Sequence, residues 1–446
     1  MTTVHLVLCR FRLLTSARSH CGLFFGLDDS TAVQVMSPSE SEDSAPVPFS
    51  SRLQARLEAL SLQGQRREKS VLQRTSAVHC QDGTQELISF ATNDYLGLSC
   101  DQQVRQAFAE AAGCQAGAGA SPLVAGRSAV HGQLERHLAE LEGTADAILF
   151  ASGYAANVGT LMALAGPRDL IFCDRENHAS LVDGCRASQA RFCVYDRQQP
   201  ERLERSLSRR RQDYEQVFLV TDTVFSMDGS LADLPLLSGL AQTWQAELVV
   251  DEAHATGVFG AAGQGVCELQ GVKQQVSVRL GTLSKAVGCL GGFAAGSQPL
   301  CDWLWNSARS QFFSTALPPA VCAAALQALQ ILTTDTERRQ RLQQRARLMR
   351  QRLQEAGLQL AGFSGAAADQ QRLNRDDSPI VGVLLGSEQA AVRASAMLRD
   401  AGFLIPAIRP PTVPAGTSRL RISVCSQHSQ QQIEDAAAAV VAVTRQ

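Results

Sequence analysis

The chain has 446 residues, of which 45% are hydrophobic and 19% charged, with a formal net charge of −2. Such a length carries two or three domains with real cores, and so even a balance gives nucleic acid or an anionic membrane no electrostatic footing. Thirteen cysteines, odd in number and without a C-x-x-C pair, argue against a zinc site or a thioredoxin-type centre and fit a reducing, cytoplasmic setting.

Residues 1–48 read as an extension. MTTVHLVLCRFRLLTSARSHCGLFFGLDD carries Arg10, Arg12 and Arg18 with no acid before Asp28, a texture that an organellar transit peptide shares. The preferred reading is an unstructured leader running on through the acidic, proline-bearing SPSESEDSAPVPFS. No apolar run approaches the ~20 residues of a membrane-spanning helix. Over residues 49–94, SRLQARLEALSL places Leu53, Leu57 and Leu60 on one helical face, and CQDGTQELISF predicts a hairpin turning at Asp82-Gly83.

Over residues 95–332, apolar runs at 147–150, 170–173, 192–195, 217–220, 248–250 and 276–280 predict strands. Helical patterns separate several of them, such as GQLERHLAELEG with Leu134, Leu138 and Leu141 in one stripe. This alternation predicts a large α/β domain, a mostly parallel sheet flanked by helices, with its ligand beyond the carboxyl ends of the strands. Past residue 332, TERRQRLQQRARLMRQRLQEAG sets Leu342, Ala346, Met349 and Leu353 at helical spacing. The arginines among them read as a solvated face rather than a nucleic-acid surface. A loop at 365–377, a strand from Ile380, a helix over 390–401 and the strand RLRISV predict a smaller α+β C-terminal domain over 333–446.

Chemistry concentrates at strand ends. Only Lys69, Lys273 and Lys285 occur as lysines, and Lys285 follows a predicted strand in RLGTLSKAVG. Asp251 follows another in LVVDEAHATG, with His254 three residues on. A strand-end lysine and aspartate suggest a Schiff-base enzyme holding pyridoxal 5'-phosphate, the aspartate pairing with its ring nitrogen. The plainer readings are a surface lysine and a helix N-cap aspartate. In FASGYAAN, the turn at Ser152, Gly153 and Tyr154 opens a helix whose N–H groups could meet a phosphate, or could form an ordinary strand–helix turn. Arg409, stiffened by prolines in IPAIRPPTVP, suits bidentate capture of a carboxylate, or sits in a surface loop.

These stretches, with ATNDYLGLS, GAGASPLVAGRSAVHGQLE, ENHASLVDG, VFSMDGSLADLP and FSTALPP in the same order, closely resemble the α-oxoamine synthases from about Arg66 to Ser426. RPPTVP and SAVHGQLE favour the oxononanoate-forming branch over the glycine acetyltransferase and aminolevulinate synthase branches. The resemblance implies a fold-type I enzyme dependent on pyridoxal phosphate, a homodimer, and no metal. Its reaction would condense L-alanine with a pimeloyl thioester, on CoA or an acyl-carrier protein. Glycine C-acetyltransferase is the alternative, and a silent subunit of a heterodimer a third reading. It further implies that Lys285 anchors the cofactor, Asp251 meets the ring nitrogen and His178 stacks on the ring. Ser226 and His254 would lie near the phenolic oxygen, and Thr282, Gly153 and Tyr154 in the cofactor pocket. Asn93, Arg409 and Thr412 would face substrate, with Arg67 preferred to Arg66 for an N-terminal substrate arginine. Pro122 in ASPLVAG and Asp222 in TDTVFS depart from common family residues, which touches substrate positioning and not the reaction.

Overall fold

The computed structural model describes residues 47–62, 65–67, 69–362 and 377–445. The expected leader before residue 47, and the loop expected from residue 365 up to 376, lie outside the described residues. The chain separates into two units at Leu60–Ser61. Phe49–Leu62 is a helix, as its spacing predicts, but Leu53, Leu57 and Leu60 each stay more than a third exposed.

In the larger unit a seven-stranded sheet contains β4 (Asp146–Phe150), β5 (Leu170–Asp174), β6 (Arg191–Tyr195), β7 (Val217–Asp222), β8 (Glu247–Asp251), β9 (Val278–Thr282) and β10 (Gly292–Gly296). Their order is β4-β10-β9-β8-β7-β5-β6. All pairings are parallel except those of β10, which runs against both neighbours. Alternate residues bury opposite faces: Phe172, Leu219 and Val250 in one core cluster, Cys173, Val220 and Val249 in the other. A parallel sheet buried on both sides needs such continuous apolar strands.

Six of these strands fall on predicted runs. β9 begins two residues later than expected, because Lys273–Gln275 forms a 3-10 turn. The seventh, β10, is unpredicted: GFAAG is poor in β-formers. Neighbouring shape admits it, since a Cβ on Gly281 would come within 2.4 Å of the Phe293 ring. The Phe293 side chain fills the space that Gly281 leaves empty.

The expected hairpin forms from β2 (His79–Asp82) and β3 (Gln85–Ser89), flanked by β1 (Gln73–Arg74). Its other edge pairs in parallel with β12 (Phe403–Leu404), so the hairpin shares a sheet with the C-terminal part. A third sheet joins β11 (Ile380–Gly386), β14 (Ser418–Ser423) and β13 (Ala407–Ile408).

Helix Thr336–Glu355 buries Leu342, Ala346, Met349 and Leu353, matching its apolar spacing. Its arginines correct the expectation of a wholly solvated face. Arg339 and Arg350 are buried. Arg339 donates to the Ala261 carbonyl (2.6 Å) and the Leu332 carbonyl (3.3 Å), and Arg350 to those of Ser378 and Ile380 (both 2.6 Å). A buried guanidinium carries enough donors to satisfy several otherwise open carbonyls at once.

His428 shows how strongly burial can set a charge state. It stacks on Phe90 with centroids 4.1 Å apart. Its Nδ1 accepts from the Cys425 N–H (2.9 Å), so Nε2 carries the proton towards the Ser89 carbonyl (3.2 Å). Burial, foremost, pushes it from 6.5 down to about 4. A neutral folded imidazole gives its full stability above pH 6.5 and loses it as pH falls from there towards 4. The loss is about 1.4 kcal/mol per pH unit. Between pH 7 and pH 5 the protein should therefore lose about 2 kcal/mol more than His428→Gln, read by urea titration at each pH.

Candidate functional site

The carboxyl ends of β7, β8 and β9 converge on one cluster. Asp222 and Asp251 are the last residues of their strands and stand in register; Lys285 lies three residues past the end of β9. Both carboxylates are buried. Asp251 accepts from Asn157 Nδ2 (2.6 Å) and from the Ala253 N–H (2.8 Å). Asp222 accepts from the His178 N–H (2.6 Å). Burial first, then Asp251 opposite, push Asp222 well above the usual carboxylate range. Burial drives the Lys285 amine down to about 8, Asp251 and Asp222 pull it back up, and Arg421 lowers it again. An amine in that range is neutral for much of the time near pH 8, the form that attacks a carbonyl and accepts a proton.

Hydrogen bonding ties His178 to Asp251 through two side chains. Asn157 spends both amide protons, one on Asp251 and one on Ser180 Oγ (2.8 Å). The Ser180 N–H also donates to His178 Nδ1 (3.3 Å), so that nitrogen is an acceptor and Ser180 Oγ donates to it (2.7 Å). His178, at the N-cap of helix Ala179–Ala187, then carries its ring proton on Nε2. Burial, reinforced by Lys285 and opposed by Asp251, lowers its pKa.

His254 is buried against Tyr95, whose hydroxyl lies 2.7 Å from His254 Nδ1. Burial and then Lys285 hold this imidazole well below its ordinary value, while burial raises the Tyr95 phenol to about 12. Tyr95 also donates to Asn93 Oδ1 (3.2 Å), which accepts from Arg421 Nη2 (3.1 Å). Arg421 Nε reaches the Ser226 carbonyl (2.6 Å). Asn93, Ser226 and His254 are thus brought together through Tyr95 and Arg421. Tyr95→Phe leaves His254 Nδ1 without its partner at a buried position. We expect a cost of about 1–3 kcal/mol, measured by denaturation, with native secondary structure retained.

Gly153 opens helix Gly153–Leu164, with Ser152 capping it. A Cβ on Gly153 would lie 3.0 Å from Thr282 Cβ, so the missing side chain brings the helix start against β9. Tyr154 is half exposed and donates to Asp183 (2.5 Å). Arg409 meets the N-terminal arginines: its Nη2 donates to the Arg66 carbonyl (3.2 Å), and the exposed Thr412 donates its N–H to the Arg409 carbonyl (3.1 Å). Arg67 is exposed beside Arg66.

Three residues of this arrangement were not singled out from the sequence: Tyr95, Asn157 and Arg421. Each stands inside a motif already quoted, and Arg421 had a visible signal. Arg419 and Arg421 interrupt an apolar strand at spacing two, and a buried arginine on a strand must find acceptors.

Pyridoxal phosphate fits these residues. The half-neutral Lys285 suits its carbonyl carbon, and Asp251 offers a buried carboxylate for a protonated ring nitrogen. The start of helix Gly153–Leu164, with Thr282 against it, presents N–H groups and a hydroxyl to a phosphate. Among the described residues, no cluster of His, Cys, Asp or Glu could hold a metal ion.

The family model described as aminotransferase class I and II matches residues 85–440. The chain is 44% identical over 390 residues to an 8-amino-7-oxononanoate synthase of Anaeromyxobacter dehalogenans, covering 87% of this chain and 94% of that one. It is 45% identical over 349 residues to that of Methylococcus capsulatus, covering 78% and 86%. A serine palmitoyltransferase from S. paucimobilis with bound PLP and myriocin superposes with a TM-score of 0.82 at 31% identity, covering 88% and 97%. An 8-amino-7-oxononanoate synthase from Francisella tularensis gives 0.66 at 28%, covering 80% and 97%.

Proposed function

This chain belongs to the aminotransferase class I and II family, in its 8-amino-7-oxononanoate synthase branch, and we propose that it joins L-alanine to a pimeloyl thioester. The alanine Cα bonds to the thioester carbonyl carbon, the thiol leaves, and the alanine carboxyl carbon departs as CO2, giving 8-amino-7-oxononanoate. The observation that carries this reading is Lys285, its amine lowered to about 8 beside Asp251 and Asp222, in a chain so similar to these synthases.

Bound pyridoxal phosphate supplies an electron sink for the bonds at Cα. Lys285 anchors it, then, as a free amine, takes the Cα proton of alanine and later returns one. The Asp251 carboxylate would meet the ring nitrogen and keep it protonated. His178 would cover the ring, and Ser226 and His254 would serve its phenolic oxygen. The N–H groups of Gly153 and Tyr154, with Thr282, would hold the phosphate. Asn93, Arg409 and Thr412 position substrate, and Arg67 stands ready beside Arg409 for a second carboxylate.

We further infer a homodimer. Leu123 and Val124 are exposed on the short helix Pro122–Gly126, which packs against Arg309–Phe312, and Phe313 directly after it is 69% exposed. Two adjacent segments thus leave apolar side chains in water, which a second copy would cover. Among the described residues every cysteine is free and no helix is long and apolar enough to cross a membrane, which supports the cytoplasm as its setting.

Purified protein given L-alanine and pimeloyl-CoA is expected to release free thiol and CO2. Turnover confined to glycine and acetyl-CoA would displace this reading in favour of a glycine C-acetyltransferase. Repeating the assay with pimeloyl-acyl-carrier protein decides the donor's form.

A further inference from the structure

A cavity of about 580 Å3 lies between the ends of β5 and β6, the loop after β7, and the sheet of β11 and β14. Its lining does not include Lys285, Asp251 or His254. One wall is apolar, formed by Leu203, Leu231, Leu236, Leu237 and Leu384.

Two buried charges on the remaining wall have no direct ion-pair partner among the described residues, although Arg197 acts on Asp174, and Asp228 and Glu176 act on Arg419, from farther off. Asp174 is 1% exposed; its Oδ1 accepts from the Glu176 N–H (2.9 Å), while its Oδ2 has no hydrogen-bond partner. Arg197, also in the lining, pairs through Nη2 with Glu176 (2.5 Å), donates to Ser230 Oγ (2.9 Å) and lies 3.4 Å over the Phe225 ring, while its buried Nη1 has no hydrogen-bond partner. The Tyr195 hydroxyl beside it is buried and likewise lacks a partner. Arg419 is 8% exposed and donates to the Thr417 carbonyl (3.0 Å), the Met227 carbonyl (3.4 Å) and Thr417 Oγ1 (3.3 Å). Among the described residues, neither Asp174 nor Arg419 has an ion-pair partner. A buried charge without a direct partner is costly, and these two line one cavity with leucines beside them.

We propose that this cavity is a second ligand site, for an aliphatic chain that carries an ammonium group towards one end and a carboxylate at the other. Asp174 takes the ammonium, Arg419 the carboxylate, and the leucines the methylenes. The product of the proposed condensation belongs to that class, and only this last identification rests on the proposed function. Occupancy would be felt at the catalytic cluster through the chain itself. Asp174 precedes His178 by four residues, Asp228 of the cavity follows Ser226 by two, and Arg419 precedes Arg421 by two along β14.

The test is calorimetric titration of the holoenzyme with 8-aminooctanoate, octanoate and octylamine, while the cofactor's visible spectrum reports any attack by amine at Lys285. We expect 8-aminooctanoate to bind at least about tenfold tighter than either singly charged probe, without a spectral change. Asp174→Asn should erase its advantage over octanoate, and Arg419→Gln its advantage over octylamine. Leu236→Trp, at a partly exposed rim position, should fill the cavity and weaken 8-aminooctanoate about tenfold while leaving the basal rate unchanged. Equal affinity for the three probes, or full affinity in Leu236→Trp, overturns the proposal. No turnover with alanine would overturn the proposed function and leave these binding results standing.

Discussion

Lys285→Ala should lower turnover of alanine and thioester by at least about a thousandfold, since it removes both the covalent anchor and the base at Cα. No other lysine can take over. The chain has only Lys69 and Lys273 besides. Lys69 is exposed, and Lys273 donates to Gln264 (2.5 Å), near Glu142 and Glu268. The variant should fold, because Lys285 is partly buried and, among the described residues, no hydrogen bond depends on its side chain. Two readings check the claim: the initial rate, and whether borohydride still fixes the cofactor to the protein. A rate within tenfold of wild type would remove Lys285 from the chemistry.

Asp251→Asn should cost on the order of a hundredfold or more in turnover, because a neutral amide cannot hold the ring nitrogen protonated. It also disturbs its surroundings. Asp251 now accepts from Asn157 and from Ala253, and an asparagine offers only one oxygen for those two donors. After burial, Asp251 is the charge that most raises Asp222, so its neutralisation would ease ionisation of Asp222 in its stead. Residual activity in Asp251→Asn should therefore fall further in the double variant with Asp222→Asn, whereas Asp222→Asn alone should be mild. A large effect of Asp222→Asn alone would mean that its ionised form is needed in the native enzyme.

The parallel strands were legible because each is a short apolar run, buried on both faces except at the edge strand β6, and the strand-end positions of Lys285 and Asp251 followed from them. β10 was not, since its glycines and alanines carry no strand signal. It exists because Gly281 leaves room for Phe293, a fit between segments that no local pattern encodes. The same limit applied to charge. Arg339 and Arg350 look like their solvent-facing neighbours in sequence, and only the carbonyls they meet distinguish them. At the site, Lys285, Asp251 and His254 were visible as residue types at telling places, and His178 only through the family resemblance. Tyr95, Asn157 and Arg421 act through contacts with residues far along the chain, and pairing across such separations is what a single sequence hides.

The bonds from Asp251 through Asn157 and Ser180 to His178 have one further consequence. All four side chains share one proton arrangement, so the groups proposed to meet the edge and the face of the cofactor would be set by a single choice rather than two. Substitutions at Asp251 and His178 should then fail to add. In a double-mutant cycle the second change should cost far less than it does alone, and Ser180→Ala, which breaks the chain in its middle, should restore their independence.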